Sequence, residues 1–142
     1  PSMSLAAVGG RGVGVVVLGV VARVPARNLR AGDFVARYGG EEFAAMLPTT
    51  KRVTAMAIAE RMRIAVAENG LLQQLAQRTV TISIGVAETS DEVRVDAVML
   101  AADRALYTAK AEGRNRSAFL DVASALSATA RARALKATAP TR

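Results

Sequence analysis

From Thr79 to Thr89 the chain reads TVTISIGVAET, with Val80, Ile82 and Ile84 alternating against Thr79, Thr81 and Ser83. A period of two sends successive side chains to opposite faces, so this segment is predicted as a strand that runs on into Gly85 and Val86. Upstream, 34-FVARY-38 and 42-EFAAML-47 read as two short strands around Gly39-Gly40-Glu41, a hairpin that Pro48-Thr49-Thr50 brings to an end. Between the hairpin and the alternating strand the period lengthens. Over Thr50 to Glu68, Val53, Met56, Ala57, Ala59, Ile64 and Val66 give an apolar stripe against charged positions that include Glu60 and Arg61, the pattern of a surface helix. Asn69-Gly70 is its stop signal, and 71–78 is a Gln-rich connector. Asp96 is predicted to cap a second helix over 97–112, closed by Gly113.

The ends are less patterned. Residues 1–10 are small and featureless. From Val13 to Val24 the chain is Val-rich up to Pro25; β-branched content argues strand, length argues helix, and periodicity leaves both open. Residues 26-ARNLRAGD-33 are polar and end in a turn signal, and 114-RNRSAFL-120 is a last short strand. The Ala-rich basic tail from 123 reads as a frayed helix or as disordered, with Pro140 near its loose end. This order predicts an α/β sandwich, helices packed on a mixed sheet, with no internal repeat. The divisions are 1–27, an atypical N-terminal segment; 28–120, the domain; and 121–142, the tail.

Composition narrows the chemistry. With 142 residues and 51% apolar content, one domain with a real core is expected; aromatic residues are only 4%, so that core is aliphatic. There is no cysteine and no histidine. Disulfides, thiolate metal sites and imidazole general-base chemistry are therefore excluded, and a metal would need oxygen ligands, as a hard cation such as Mg²⁺ does. The net charge of +7 suits an anionic ligand. Without aromatic platforms in the basic stretches, nucleic acid is not the expected partner. The apolar run 5-LAAVGGRGVGVVVLGVVA-22 is broken by Arg11, too short to span a bilayer and a poor signal peptide. A cytoplasmic location is expected.

The segment 37-RYGGEEFAAML-47 is the chemical anomaly. A hairpin turn asks for Asn-Gly or Asp-Gly, not for two adjacent carboxylates that repel. A bound cation would remove the repulsion of Glu41 and Glu42. Gly39 and Gly40 would let a large anion approach the backbone closely.

RYGGEEF resembles the signature of the GGDEF family, the diguanylate cyclase domains, in its GGEEF variant. Other pieces fall where that family has them: 59-AERMR-63, 79-TVTISIGVA-87 and 102-ADRALYTAKAEGRN-115. The resemblance covers roughly 28–120. It implies that two GTP molecules, one per domain of a homodimer, condense to cyclic di-GMP and pyrophosphate, with two Mg²⁺ ions at each site. Glu41 would be a direct metal ligand and Glu42 a second ligand or charge support. Gly39 and Gly40 would flank the triphosphate, and Phe43 would anchor the turn in the core. Lys110 and Arg114 would meet the β- and γ-phosphates, with Asn115 and Asp103 serving structure. The RxxD sequence 30-RAGD-33, five residues ahead of Gly39, matches the family's inhibitory site, at which Arg30, Asp33 and Arg61 would bind product. A sensor domain attached to or partnering the domain, in some cases membrane-tethered, is the usual regulator.

The front of the chain departs from the family. A stretch like DxDxFKxxND and a helix opening with GHxxGD are expected there, but 10-GRGVG-14 stands in the second place, with Arg11 for the His and Val15 for the guanine-reading Asp. Ala6 stands for the Asn, and residues 1–10 contain no acid to supply the other metal ligand. A degenerate member that kept binding and lost synthesis would look like this. So would a truncated or frame-shifted front end, given the monotony of Gly, Val and Arg over 8–25. Three functions are open at this point: a cyclase resting on Gly39–Phe43, Lys110 and Arg114; a cyclic di-GMP receptor resting on Arg30, Asp33 and Arg61; or a scaffold needing neither.

Overall fold

The computed structural model describes residues 2–10, 27–39, 42–70, 73–74, 79–89 and 95–137. In chain order these give strands β1 (Ser2–Gly10), β2 (Phe34–Gly39) and β3 (Glu42–Pro48), helix α1 (Arg52–Ala67), strand β4 (Thr81–Thr89), helix α2 (Val95–Ala111), strand β5 (Ser117–Asp121) and helix α3 (Val122–Ala137). The five strands form one sheet in the order β2-β3-β1-β4-β5. β2 and β3 are the antiparallel hairpin, whereas β1 runs parallel to both β3 and β4, and β4 runs parallel to β5. The α/β sandwich on a mixed sheet is thus the observed fold.

Residues 1–10, which carry no sequence signal, hold the sheet's central strand. Ser4 pairs with Glu42 on one side and with Ser83 on the other. The question of helix or strand over Val13–Val24 lies outside the described residues.

Alternation along β3 and β4 sorts the two faces. Ala45, Leu47, Ile82, Ile84 and Val86 are buried against Ala55, Ile58, Ala59, Met62 and Val66 of α1. Ala44, Met46 and Ala87 belong to the opposite layer, with Val98, Ala101, Ala102 and Leu106 of α2. On α1 the predicted stripe holds in part: Ala59 and Val66 are buried and Met56 packs on the core, but Val53 is 81% exposed and Ile64 43%, and Ala55, Ile58 and Met62 complete the inward face. The alanines fit close under the sheet, and each large side chain such as Met62 gains about 1.5–3 kcal/mol by its burial.

Small residues on the α2 face of β4 bring that helix unusually near. Ser83 is fully buried, and a Cβ added at Gly85 would lie 2.8 Å from Leu106 Cα. This close seat fixes the height of α2 over the sheet. α2 begins at Val95, one residue before the predicted cap; Asp96 stands in its first turn, where its Oδ1 accepts from the Ala97 N–H at 3.1 Å. The tail left open between frayed helix and disorder is helix α3 as far as Ala137. Val122 and Ala125 pack on α2, where Arg104 Nη1 donates to Ala125 O at 2.9 Å.

Within the segment after α1, the Gln73 side chain joins the helix end to the residue ahead of β4. Gln73 Nε2 donates to Val66 O, Ala67 O and Val80 O at 3.0–3.3 Å, and its Oε1 accepts from the Val80 N–H at 2.6 Å. Four bonds from one amide tie the end of α1 to the residue that leads into β4, which a Gln-rich composition alone does not reveal.

Candidate functional site

The hairpin tip sets the site. β2 and β3 pair regularly from Phe34↔Met46 to Arg37↔Phe43, then shift register so that Gly39 pairs with Glu42. A bulge of this kind bends the strand and re-aims the residues beyond it. Glu42 opens β3 and is half-buried there. Gly40 and Glu41, the latter the candidate direct metal ligand, lie outside the described residues, as does the side chain of Phe43.

Opposite Glu42 stands the outer half of α2. Asp103, Leu106, Tyr107 and Lys110 join Glu42 in lining a cleft of about 240 Å³. Their spacing of three, four and seven puts them on one helical face. Lys110, the candidate phosphate ligand, and Glu42, the candidate carboxylate, thus line the same cleft. Arg114 stands outside the cleft lining, exposed on the turn after α2. That turn has a left-handed backbone at Gly113, Arg114 and Asn115, with φ of 119°, 64° and 46°.

Asp103 is the residue that sequence reasoning assigned only to structure. It faces the same cleft as Glu42, and its pKa is raised, first by partial burial of the carboxyl and next by the Glu42 charge, with Lys110 opposing. Its i, i+7 relation to Lys110 was the signal available for finding it. A raised pKa means that the ionised form is disfavoured in the native state, a cost that grows as pH rises through the folded value. Asp103→Asn should therefore raise Tm at pH 7 by about 1 °C, screening at this exposed position keeping the gain small. The gain should vanish as pH falls below the unfolded value of about 4. Parallel melts at pH 7 and pH 4 check the sign.

Oxygen donors from Glu42 and Asp103 are the set a hard divalent cation takes. Among the described residues no third acidic group joins them. Carboxylate oxygens are the donor type Mg²⁺ takes, and Glu41, the candidate direct ligand, lies outside the described residues.

The RxxD segment forms a second assembly on the far side of the hairpin. Asp33 N donates to Arg30 O at 3.1 Å, a turn that Gly32 permits with φ of 94°. Asp33 accepts from the Arg30 N–H at 3.0 Å and from Arg30 Nε at 3.3 Å, and its side chain is 1% exposed. It therefore fixes the arginine rather than facing solvent. Arg30 Nη2 also donates to Pro48 O at 2.5 Å and to Thr50 Oγ1 at 2.7 Å. From α1, Arg61 Nη2 donates to Asn28 O at 2.9 Å. Residues 28–33 thus gather both arginines, while the Arg30 side chain remains 53% exposed.

A third network ties α1 to the turn carrying Arg114. Glu60 accepts from Arg63 Nε at 3.0 and 3.1 Å, and Arg63 Nη1 donates to Asn115 Oδ1 at 3.1 Å. Arg63 holds the Glu60 carboxyl below its ordinary pKa, against partial burial and with help from the Ser117 dipoles. The Ser117 hydroxyl itself makes no well-formed hydrogen bond.

Comparison with known proteins places this arrangement. Residues 7–116 match the family model described as "Diguanylate cyclase, GGDEF domain", extending upstream of the resemblance seen from residue 28. Over 108 residues the chain is 42% identical to "Diguanylate cyclase A" of Treponema denticola, covering 75% of this chain and 29% of that protein. It is 41% identical over 109 residues to the "Response regulator PleD" of Caulobacter vibrioides, 75% of this chain and 24% of that one. The chain thus spans less than a third of these curated relatives. Among solved structures, the active GGEEF domain of a diguanylate cyclase from Vibrio cholerae superposes with a TM-score of 0.63 at 30% identity, covering 70% of this chain and 63% of that one. The GGDEF domain of DgcB from Caulobacter crescentus, solved in complex with c-di-GMP, gives 0.62 at 34% identity, over 72% of this chain and 61% of that one. The chain belongs to the GGDEF domain family, the family of the diguanylate cyclases.

Proposed function

We propose that this domain condenses two GTP molecules into cyclic di-GMP, with Mg²⁺, as a homodimer, and that product bound at the RxxD assembly inhibits it. The observation that carries this reading is the meeting of Glu42 and Lys110 across one cleft, a carboxylate for the cation and an ammonium for the phosphates. The domain would contribute half of a reaction centre, since each 3′-hydroxyl attacks the α-phosphate of the GTP on the other protomer. Mg²⁺, held by Glu42 with Glu41, would neutralise phosphate charge and activate the hydroxyl. Lys110 and Arg114 would bind the β- and γ-phosphates, and Gly39 and Gly40 would let the triphosphate approach the turn. Arg30 would offer its planar fork to product, with Arg61 beside it and Asp33 holding the loop in shape. A sensor domain supplied by the parent protein would govern dimer formation, and a cytoplasmic setting would supply the GTP.

Calorimetric titration with GTP and Mg²⁺ tests the cleft. Lys110→Ala should weaken binding about tenfold, the loss of one charge-assisted contact. Equal affinity for the variant and the parent chain would remove Lys110 from the site.

A further inference from the structure

Arg114 adopts φ of 64° and Asn115 φ of 46°, next to each other and after Gly113 at 119°. Non-glycine residues in the left-handed region are sterically disfavoured, and persist only where their surroundings hold them. Part of the hold is local. Arg114 N donates to Ala109 O at 3.0 Å, and Arg116 Nε donates to Arg114 O at 3.2 Å. The remainder comes from a helix 52 positions away, through the 3.1 Å bond from Arg63 Nη1 to Asn115 Oδ1. Arg63 is well placed to be rigid. Its Nε and Nη2 are engaged by Glu60, the latter at 2.9 Å, and its side chain is only 22% exposed. Nη1 is the nitrogen this pairing leaves over, and it points at the turn.

We propose that Arg63 is a positioning residue: through Asn115 it locks the left-handed turn that aims Arg114 at the nucleotide's terminal phosphates. The inference rests on the proposed phosphate role of Arg114. Asn115 suits the task on two counts: it tolerates the left-handed region better than most residues, and its amide oxygen supplies the acceptor. The lock would act on polyphosphate recognition alone. The RxxD assembly receives Arg61 from the same helix through a different contact, to Asn28 O, so product binding there should be indifferent to Asn115.

A double-mutant cycle on the full chain tests this, read by calorimetry with GTP and Mg²⁺ and, separately, with cyclic di-GMP. Asn115→Gly keeps the backbone freedom and removes the acceptor; Arg63→Gln removes the donor together with the ion pair to Glu60, so Asn115→Gly is the cleaner arm. Each should weaken GTP about tenfold, leave cyclic di-GMP binding unchanged, and have no further effect in an Arg114→Ala background. If Arg114→Ala weakens GTP while Asn115→Gly binds like the parent chain, the lock is overturned and the phosphate role stands. If Asn115→Gly costs as much in the Arg114→Ala background as alone, the effect does not pass through Arg114 and the lock is again overturned. If Arg114→Ala binds GTP like the parent chain, the phosphate role falls and takes the lock with it.

Discussion

Gly85→Val is expected to cost the domain about 3 kcal/mol or more, a large fraction of a small domain's stability. The added Cβ would collide with the backbone of α2, meeting the Ala102 carbonyl oxygen and the Leu106 nitrogen, and standing 2.8 Å from Leu106 Cα. None of these atoms is the end of a flexible side chain. Relief requires the whole helix to lift, and lifting it opens the layer of Ala87, Val98, Ala101, Ala102 and Leu106. The damage would not stop at stability. Asp103 and Lys110 ride on the same helix, and their approach to Glu42 depends on its height over β4. Urea unfolding followed by circular dichroism measures the effect. An unfolding free energy within about 0.5 kcal/mol of the parent chain would mean that α2 does not pack on β4 in this way.

Arg30→Ala is expected to weaken cyclic di-GMP binding about 100-fold, roughly 2.7 kcal/mol. The residue would supply two donor directions to one ligand, and charged hydrogen bonds are worth about 1.5–3 kcal/mol each when a partner is removed. Its guanidinium already lies in a defined orientation, braced by Asp33, Pro48 O and Thr50 Oγ1. Little entropy is left to lose on binding. Arg30→Lys should recover only a small part, because an ammonium keeps the charge and lacks the fork. Arg30→Ala also strips a donor from Thr50, which is 2% exposed, so a modest fall in Tm should accompany the change. Calorimetry on folded variants separates the two effects. Unchanged affinity in Arg30→Ala would remove the RxxD assembly from product recognition.

Much of this fold could be read from local pattern. The hairpin, α1, β4, α2 and β5 each carry a period or a stop signal of their own, and each stands within a few residues of its expected place. The central strand could not be read. Ser2–Gly10 is built of small residues with no apolar–polar period to mark a strand. On α1 the apolar pattern is only partly followed. Val53 and Ile64 are more apolar than Ala55, but closeness to the sheet favours the small residue. At the site, Glu42, Lys110 and the RxxD pair were singled out by their resemblance to family motifs, and the structure places Glu42 and Lys110 at one cleft and Arg30 against Asp33. Asp103 and Arg63 were not, because their partners, Glu42 and Asn115, are 61 and 52 residues distant in sequence and meet only in the folded chain. The four-bond role of Gln73 is of the same kind.

The decisive measurement is product formation. The purified chain is incubated with GTP and Mg²⁺, and cyclic di-GMP and pyrophosphate are quantified by chromatography with mass detection. A working cyclase releases two pyrophosphates per cyclic di-GMP, and Glu42→Gln should lower the rate about 100-fold by removing a charge that serves the cation. No cyclic di-GMP from a folded sample that binds the dinucleotide would contradict the cyclase reading and leave a receptor built on Arg30.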